Sequence, residues 1–359
     1  MKNNSFGIII ISIFTVVAIG CGKKGENPVP PVKITPGGGG GADVYAVGTT
    51  PGTNVAVATY WKNGFATPLG DNNHNSVANG IVINGENIWV FGNAAPPGQN
   101  NTVPVYWKNG VADFITGTLG NVSAPSQSAF AVDGTDVYLT GSTPQLNAFP
   151  RAAYWRNGVT NLLPDNGAGS VADGIAFNGT DLYVFGYSTR PAHWPSATYW
   201  KNGIAVKLTD SSALAEATGM AFSGSDMYIV GYAQPVDPQG KLYGSPIAML
   251  WKNGIGQKLT DATQSAYSPS IVIKGNDIYV GGYVMSKGIL NVKYWKNGTE
   301  TLLDSSGLGG YTGSSPFVSI TFSGSDMYIA AGQAGYWKNG QAVPFPKSSV
   351  VNGVVAVSN

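Results

Sequence analysis

An acidic residue ends a short leucine-containing motif in five repeated segments of this chain. The motif reads Leu-Gly-Asp, Leu-Pro-Asp, Leu-Thr-Asp or Leu-Leu-Asp, and its acidic residues are Asp71, Asp165, Asp210, Asp261 and Asp304. Gathered on one face, these five carboxylates would form an acidic ring, which could attract a cation or a basic partner, or serve as acid and base in carbohydrate cleavage. The alternative is that each side chain caps the turn in which it stands. The calcium-loop pattern D-x-D-x-D-G is absent, so we expect no metal.

Other residues suited to catalysis are few. The chain has two histidines, three arginines and four glutamates. A Ser-His-Asp site would need His74 or His193 beside a serine, and no group of histidines has the spacing of a zinc site. We therefore expect a protein that is not an enzyme and binds no cofactor.

A second set of candidate residues stands in segments whose length varies from unit to unit. Of the nine tryptophans, only Trp194, in "YSTRPAHWPSATYW", has no counterpart in a repeated motif. Aromatic rings with polar neighbours suit stacking and hydrogen bonding to a carbohydrate or peptide. The alternative is that these rings fold back on their own unit. The candidate ligand-binding residues are Tyr187, Arg190, His193, Trp194, Tyr232, Tyr243 and Tyr283.

Two alternating motifs define the units that must position these residues. The first, Trp-Lys-Asn-Gly with Arg once replacing Lys, recurs every 42 to 51 residues. Its tryptophans are Trp61, Trp107, Trp155, Trp200, Trp251, Trp295 and Trp337. The second has the form Gly-x-Asp-x-Tyr and follows a short run with period-two alternation. Each unit therefore reads as four strands joined by tight turns, which is the blade of a β-propeller.

The two ends of the repeat array are complementary. The first unit begins at Ala42 without its first strand, and residues 355–359, "VAVSN", match that missing strand. Pairing them would close the ring and remove the open edge of the sheet. The sequence thus predicts an all-β, seven-bladed propeller over residues 42–359, which we expect to be a monomer.

The repeated residues are predicted to be structural. The aromatic residues should fill the space between blades, and Asn-Gly should form type I′ turns, which need positive φ at both positions. We expect Lys62 and its counterparts to face solvent, and Asp43 and its counterparts to accept backbone N–H bonds in their own turns. The alternative is a ring of seven aromatic-basic binding sites.

The N-terminal segment has the layout of an export signal. Residues 1–20 contain one basic residue, a long apolar run and a small final residue, as secretory signal peptides do. The single cysteine, Cys21, follows in "AIGC", which resembles a bacterial lipobox and implies lipidation of Cys21 by fatty acids such as palmitate. An uncleaved anchor or a free thiol is the alternative. Residues 21–41 are rich in Pro and Gly and are predicted to be a tether.

The partners follow from these features. Gly22 after the cysteine resembles the signal for sorting to the outer membrane, which implies a lipid-anchored protein of the cell envelope, facing either the periplasm or the outside. Lys2 lies in the predicted leader, so 19 basic and 19 acidic residues remain, and no nucleic-acid partner is expected.

The units resemble bacterial extracellular repeats of the HAF type, A-x-x-W-x-x-G…L…S-x-A-x-x-I…G. The match is carried by "ATYWKNGFATPLGDNNHNSVANGIVING", which begins at Ala58. The resemblance implies export and a repeat architecture, but no chemistry. We therefore expect a binding or scaffold module for a glycan or an envelope protein. The alternative is a carbohydrate hydrolase or lyase that uses the five aspartates of the Leu-x-Asp motifs, which lie in the crossovers between units.

Overall fold

The computed structural model describes residues 42–115, 129–145, 148–165, 168–210, 212–286, 289–308, 318–346 and 348–358. The predicted signal peptide, Cys21 and the tether lie outside these residues. Within the described residues the chain forms seven antiparallel sheets of four strands each, and no helix is long and apolar enough to cross a bilayer. The predicted all-β, seven-bladed propeller is confirmed.

Each sheet is one blade, numbered here I to VII in chain order. Blade I contains β1 (Ala42–Pro51), β2 (Ala56–Lys62) and β3 (Phe65–Pro68). Blade II contains β4 (Ser76–Asn84), β5 (Asn87–Ala94), β6 (Val103–Lys108) and β7 (Val111–Phe114). Blade III contains β8 (Phe130–Asp133), β9 (Asp136–Gln145), β10 (Ala148–Arg156) and β11 (Val159–Leu162). Blade IV contains β12 (Ser170–Asn178), β13 (Asp181–Ser188), β14 (Ser196–Lys201) and β15 (Ile204–Lys207).

The remaining strands complete the ring. Blade V contains β16 (Ala213–Ser223), β17 (Asp226–Pro235), β18 (Ile247–Lys252) and β19 (Ile255–Lys258), and blade VI contains β20 (Ser265–Lys274), β21 (Asp277–Ser286), β22 (Ile289–Lys296) and β23 (Thr299–Leu302). Blade VII contains β24 (Ser319–Ser323), β25 (Asp326–Ala330), β26 (Gly335–Lys338) and β27 (Gln341–Pro344), and β28 (Val350–Ser358) returns to blade I.

The ring closes through the last strand. β28 pairs antiparallel with β1, so that Val44 lies opposite Ala356 and Tyr45 opposite Val355. The first strand of every blade contacts the first strands of its two neighbours, from β28 and β4 round to β24 and β28. The predicted closure by the C-terminal strand is confirmed, and these seven inner strands surround the axis of the ring.

The repeated tryptophans fill the space between blades, as predicted. All seven are at most 2% exposed. Trp61 of blade I packs on Phe345 of blade VII with 5.0 Å between ring centroids, and the Trp200 indole of blade IV donates to the Pro164 carbonyl of blade III at 2.9 Å. Trp107 belongs to the core cluster that blade II shares with blade I. Each of these tryptophans thus joins its blade to the preceding one.

The Asn-Gly turns also have the predicted backbone. In the first, φ is 51° at Asn63 and 83° at Gly64, and both positions are positive in all seven copies, as a type I′ turn requires. The other hairpin carries a positive φ only at its glycine, for example 59° at Gly85, which is the pattern of a type II′ turn. These two tight turns hold the strands of each blade in register.

The role expected for Asp43 was wrong, and Lys62 is exposed as expected but paired. The Asp43 carboxylate binds the end of β2 instead: it accepts from Asn63 Nδ2 at 2.6 Å and pairs with Lys62 Nζ at 2.7 Å. The start of β1 lies beside the end of β2, so the two motifs meet there, and Asn63 Oδ1 accepts the N–H of Val44 instead. Lys62 Nζ also lies 5.3 Å from the centre of the Tyr45 ring, a cation–π distance. The pairing recurs wherever the aspartate is present.

Candidate functional site

The variable segments of blades IV and V touch through Trp194. This residue lies between β13 and β14, and its indole N–H donates to the carbonyl oxygen of Gly240, between β17 and β18, at 2.8 Å. The residue is 36% exposed. The hydrogen bond fixes the edge of the indole while the ring remains open to solvent, so Trp194 forms a platform across two blades.

Tyr243 is presented by a small hairpin in the same segment of blade V. Asp237 Oδ1 accepts the N–H groups of Gln239 at 3.0 Å and of Lys241 at 2.8 Å, which fixes the turn. The N–H of Tyr243 donates to the Pro235 carbonyl at 3.0 Å, and the residue is 56% exposed. The exposure of Trp194 and Tyr243 argues against the alternative that their rings fold back on the blade.

A surface cleft of about 400 Å³ lies in blade IV, and its lining includes His193, the residue before Trp194. Its lining residues come from the loop after β13, the start of β14, the end of β15 and the crossover that follows, and they are Arg190, His193, Ser196, Lys207, Leu208, Thr209 and Asp210. The cleft thus joins two predicted ligand-binding residues, Arg190 and His193, with one member of the predicted acidic ring, Asp210. Lys207 was not among the predicted residues.

The other predicted tyrosines belong to a different cluster, near the inner strands. Tyr232 Oη donates to Glu216 Oε2 at 2.8 Å. The Tyr232 ring meets the Tyr267 ring edge-on at 5.0 Å between centroids, and Tyr267 stacks on Tyr283 at 5.1 Å. Tyr187 of blade IV faces the same carboxylates, and burial together with Asp173 and Glu216 raises its pKa to about 12.

Two carboxyl groups meet at the centre of this cluster. Asp173 is the extra residue of a bulge in β12, between Ala172 and Gly174, and it is hydrogen-bonded to Glu216 of β16 in the next blade. Asp173 Oδ2 is shielded from solvent. Burial, followed by the Glu216 charge, raises the pKa of Asp173 well above its usual value, and burial raises the pKa of Glu216. The two groups therefore share a proton.

The sequence analysis missed this carboxyl pair, although a signal for Asp173 existed. In blades I, II and V the bulge position holds Asn352, Asn79 and Thr218, and among these described bulges only that of blade IV has a carboxyl group. Glu216 stands where blades II, IV and VI have Val77, Val171 and Tyr267, again the one charged residue of that group. A comparison of the repeats position by position would have singled out both.

The predicted acidic ring is found in the crossover turns. Asp71 Oδ1 accepts the N–H groups of Asn73 at 2.9 Å and His74 at 2.8 Å. Asp210, Asp261 and Asp304 each bind the N–H two residues onward, Asp304 doing so from Ser306 at 2.9 Å. Side-chain hydrogen bonds from His74, Ser212 and Thr263, followed by these backbone bonds, lower the pKa of Asp71, Asp210 and Asp261. The pKa of Asp304 is lowered chiefly by its backbone bond from Ser306. Four members thus have the turn-capping geometry of the alternative interpretation, and Asp165 follows β11.

A second cleft, of about 300 Å³, lies between the crossover after β19 and blade VI and contains Asp261. Its cation, Lys293, forms an ion pair of 2.5 Å with Glu300. Within the part of the chain that the structure describes, no three His, Cys, Asp or Glu side chains are grouped as metal ligands would be. The two clefts therefore differ in charge: the basic group of the second is neutralised within the protein.

The fold and these sites define a seven-bladed β-propeller with an aromatic platform and a charged cleft on its variable-loop face. No family model and no curated protein matches the sequence. Among solved structures, TolB from Acinetobacter baumannii is similar at 14% identity and a TM-score of 0.39, over 69% of this chain and 61% of TolB. This chain thus spans about three fifths of the length of that structure.

Two further structures are similar along most of their length. The polysaccharide lyase Uly1 is 9% identical with a TM-score of 0.43, covering 84% of this chain and 85% of its own. Sucrose-6-phosphate hydrolase from Lactobacillus gasseri is 8% identical with a TM-score of 0.35, covering 79% of each chain. Similarity at this level concerns the fold, and no site residue or activity is transferred from these proteins.

Proposed function

We propose that this chain is an exported, lipid-anchored propeller that binds a glycan on the face formed by the variable segments of blades IV and V. The observation that carries the proposal is the Trp194 indole, tied by its N–H to Gly240 of the next blade and open to solvent on its ring. A ring fixed in this way loses little conformational entropy on binding and offers its face to the C–H groups of a sugar. Tyr243 adds a second exposed ring in the same segment.

Binding rather than catalysis is proposed because the carboxyl groups suit hydrolysis poorly. Asp71, Asp210, Asp261 and Asp304 are held by their own turns and have lowered pKa values, the opposite of what a general acid needs. Asp173 and Glu216 have raised pKa values but are hydrogen-bonded to each other. Glycosidase carboxyls usually stand about 5 to 9.5 Å apart to admit a sugar or water between them.

The envelope location belongs to the same proposal. The apolar run of residues 1–20, Cys21 directly after it and the similarity to HAF-type repeats support export and acylation. Labelling cells with a radioactive fatty acid should mark the wild-type chain and not Cys21→Ser. An equally labelled Cys21→Ser chain would contradict the lipid anchor.

Screening the full-length chain, in a mild detergent, against a glycan array tests the binding proposal. We expect Trp194→Ala to abolish the wild-type signals without lowering the melting temperature, and Trp194→Phe, which keeps a ring but lacks the N–H donor, to retain part of them. Phe65→Ala is a matched control because Phe65 is also an exposed aromatic residue, 46% exposed, at the opposite hairpin of blade I. Array signals that survive in Trp194→Ala would contradict the proposal, and release of reducing sugar would contradict its non-enzymatic part.

A further inference from the structure

The cleft beside Trp194 holds two basic groups with no ion-pair partner. Within the described residues, neither Arg190 nor Lys207 forms an ion pair, although both line the same cleft. Several other basic groups are neutralised within the protein, as Lys201 is by Asp181 at 2.7 Å and Lys293 by Glu300 in the second cleft. The cleft therefore contains two cations against one carboxylate, Asp210, and this excess of positive charge suits a ligand that carries negative charge.

We propose that this cleft binds the acidic substituent of a sugar, a carboxylate or a sulfate, so that the ligand of the platform is an acidic glycan. The inference rests on the proposed glycan-binding function and specifies its ligand class. An arginine guanidinium presents a planar pair of N–H donors that matches either group, and the Lys207 ammonium adds a mobile charge. His193 supplies a third nitrogen at the rim.

The neutral donors of the cleft fit the same ligand. Thr209 Oγ1 accepts the N–H of Ala197 at 3.1 Å, which leaves its own O–H available as a donor towards the cleft. Asp210 also lines the cleft, and its Oδ1 is occupied by Ser212, which leaves its second oxygen as an acceptor. A site with donors for an acid and an acceptor for a hydroxyl is suited to an acidic sugar better than to a simple anion.

The electrostatic state of Lys207 supports this assignment. Burial, and then the nearby Arg190 charge, lower the pKa of Lys207, which means that these surroundings disfavour the ammonium. A bound anion reverses that effect by compensating both cations. Because Trp194 follows His193 directly, a sugar ring stacked on the indole places its substituents beside the cleft. A volume of about 400 Å³ is large enough for a sugar unit.

Titrations of the full-length chain with three polymers test the inference: polygalacturonate carries carboxylates, dextran sulfate carries sulfates, and dextran is neutral. We expect at least one acidic polymer to bind more tightly than dextran and to lose affinity as salt is added. Arg190→Ala and Lys207→Ala should each weaken that binding about 10- to 100-fold, the range expected for loss of a charged hydrogen bond. The comparison of the two acidic polymers decides between carboxylate and sulfate.

Lys258→Ala is the matched control, because Lys258 ends β19 of blade V as Lys207 ends β15 of blade IV, but lies outside the cleft. It should leave the affinity unchanged. Equal affinity for dextran and the acidic polymers, unaltered binding by the Arg190→Ala/Lys207→Ala double variant, or absence of binding to either acidic polymer would overturn the inference. If the inference is overturned but neutral glycans on the array bind in a Trp194-dependent way, the proposed function stands. If neither the acidic polymers nor the array glycans bind, the inference and the proposed function are both rejected.

Discussion

The carboxyl groups of Asp173 and Glu216 are hydrogen-bonded to each other across the boundary between blades IV and V. A shared proton is what allows two acidic groups to occupy this position, because two carboxylates in contact would repel each other. The groups that face the pair are the phenols of Tyr187, Tyr232 and Tyr267, and burial raises the pKa of each phenol. No basic group contributes to the raised pKa values of the two carboxyl groups.

The first prediction concerns the pH dependence of stability. Above the ordinary values of 3.8 and 4.5, the unfolded chain releases these two protons while the folded pair retains one, so stability must fall as the pH rises through the raised pKa. A pKa that is higher by one in the folded chain than in the unfolded chain corresponds to about 1.4 kcal/mol of stability. Asp173→Asn keeps a donor to Glu216 without a titrating proton, and should flatten the fall in melting temperature as the pH rises above the ordinary carboxyl values.

Asp181→Asn is the control for this experiment. Lys201 and Asn202 lower the pKa of the partly exposed Asp181, so its contribution to stability is present above the ordinary value of 3.8 and lost only as the pH falls below it. This substitution should leave the neutral-to-alkaline slope unchanged. Identical pH profiles for Asp173→Asn and the wild type would show that the pair does not share a proton.

The second prediction concerns the Asn-Gly turns. Asn253 has a φ of 50°, accepts the N–H of Met227 at 2.8 Å and donates to Asp226 at 2.8 Å. Asn253→Gly keeps the left-handed conformation and loses these bonds, whereas Asn253→Ala also introduces steric strain of about 1–2 kcal/mol. Denaturant unfolding should therefore rank the wild type above Asn253→Gly and Asn253→Ala last.

A matched asparagine separates this effect from the loss of any turn residue. Asn276 occupies the other hairpin of blade VI without a positive φ, and Asn276→Ala should change stability by no more than about 0.5 kcal/mol. If Asn253→Gly and Asn253→Ala were equally stable, backbone strain would not be the reason for asparagine at this position.

The third prediction concerns the seam between the terminal strands. A Cβ on Gly48 would lie 1.7 Å from the carbonyl oxygen of Val350, because the bulge at Asn352 brings β28 against β1 there. Gly48→Ala should therefore cost more than about 4 kcal/mol or prevent closure of the ring, which limited proteolysis would detect as early cleavage near β28. Gly307→Ala, whose Cβ would find Ala342 at an ordinary 3.4 Å, should resist the protease as the wild type does. Equal resistance of Gly48→Ala would disprove the proposed constraint.

The fold could be predicted because the motifs of one blade recur seven times in the sequence. Any one Trp-Lys-Asn-Gly is a weak signal, but recurrence at a fixed position fixes the strand, the turn and the blade together. The error over Asp43 arose because its partner, Lys62, stands at the end of the next strand, and period-two alternation carries no information about which strand ends meet. The sequence was therefore informative about elements and less so about contacts between them.

The candidate site depended on departures from the repeat. Trp194 was recognisable because it has no counterpart, and the structure places it between two blades. Lys207 was not recognisable, because it occupies an ordinary repeat position and gains significance only from Arg190, which a loop brings to it. Asp173 depends on a bulge that shifts the register of β12, and such shifts do not follow from hydrophobic periodicity.

The position of β28 constrains the order of folding. β1 pairs with a strand about 300 residues later in the chain, the most distant strand pairing in the molecule as described. Until residues 350–358 arrive, blade I has only three strands and exposes an unpaired inner edge, a surface prone to joining other chains. Contacts this distant form slowly because a long loop must close first. Because translation starts at the N-terminus, the ring would remain open throughout synthesis of the chain. The nascent chain would need protection from neighbouring copies until the last strand docks.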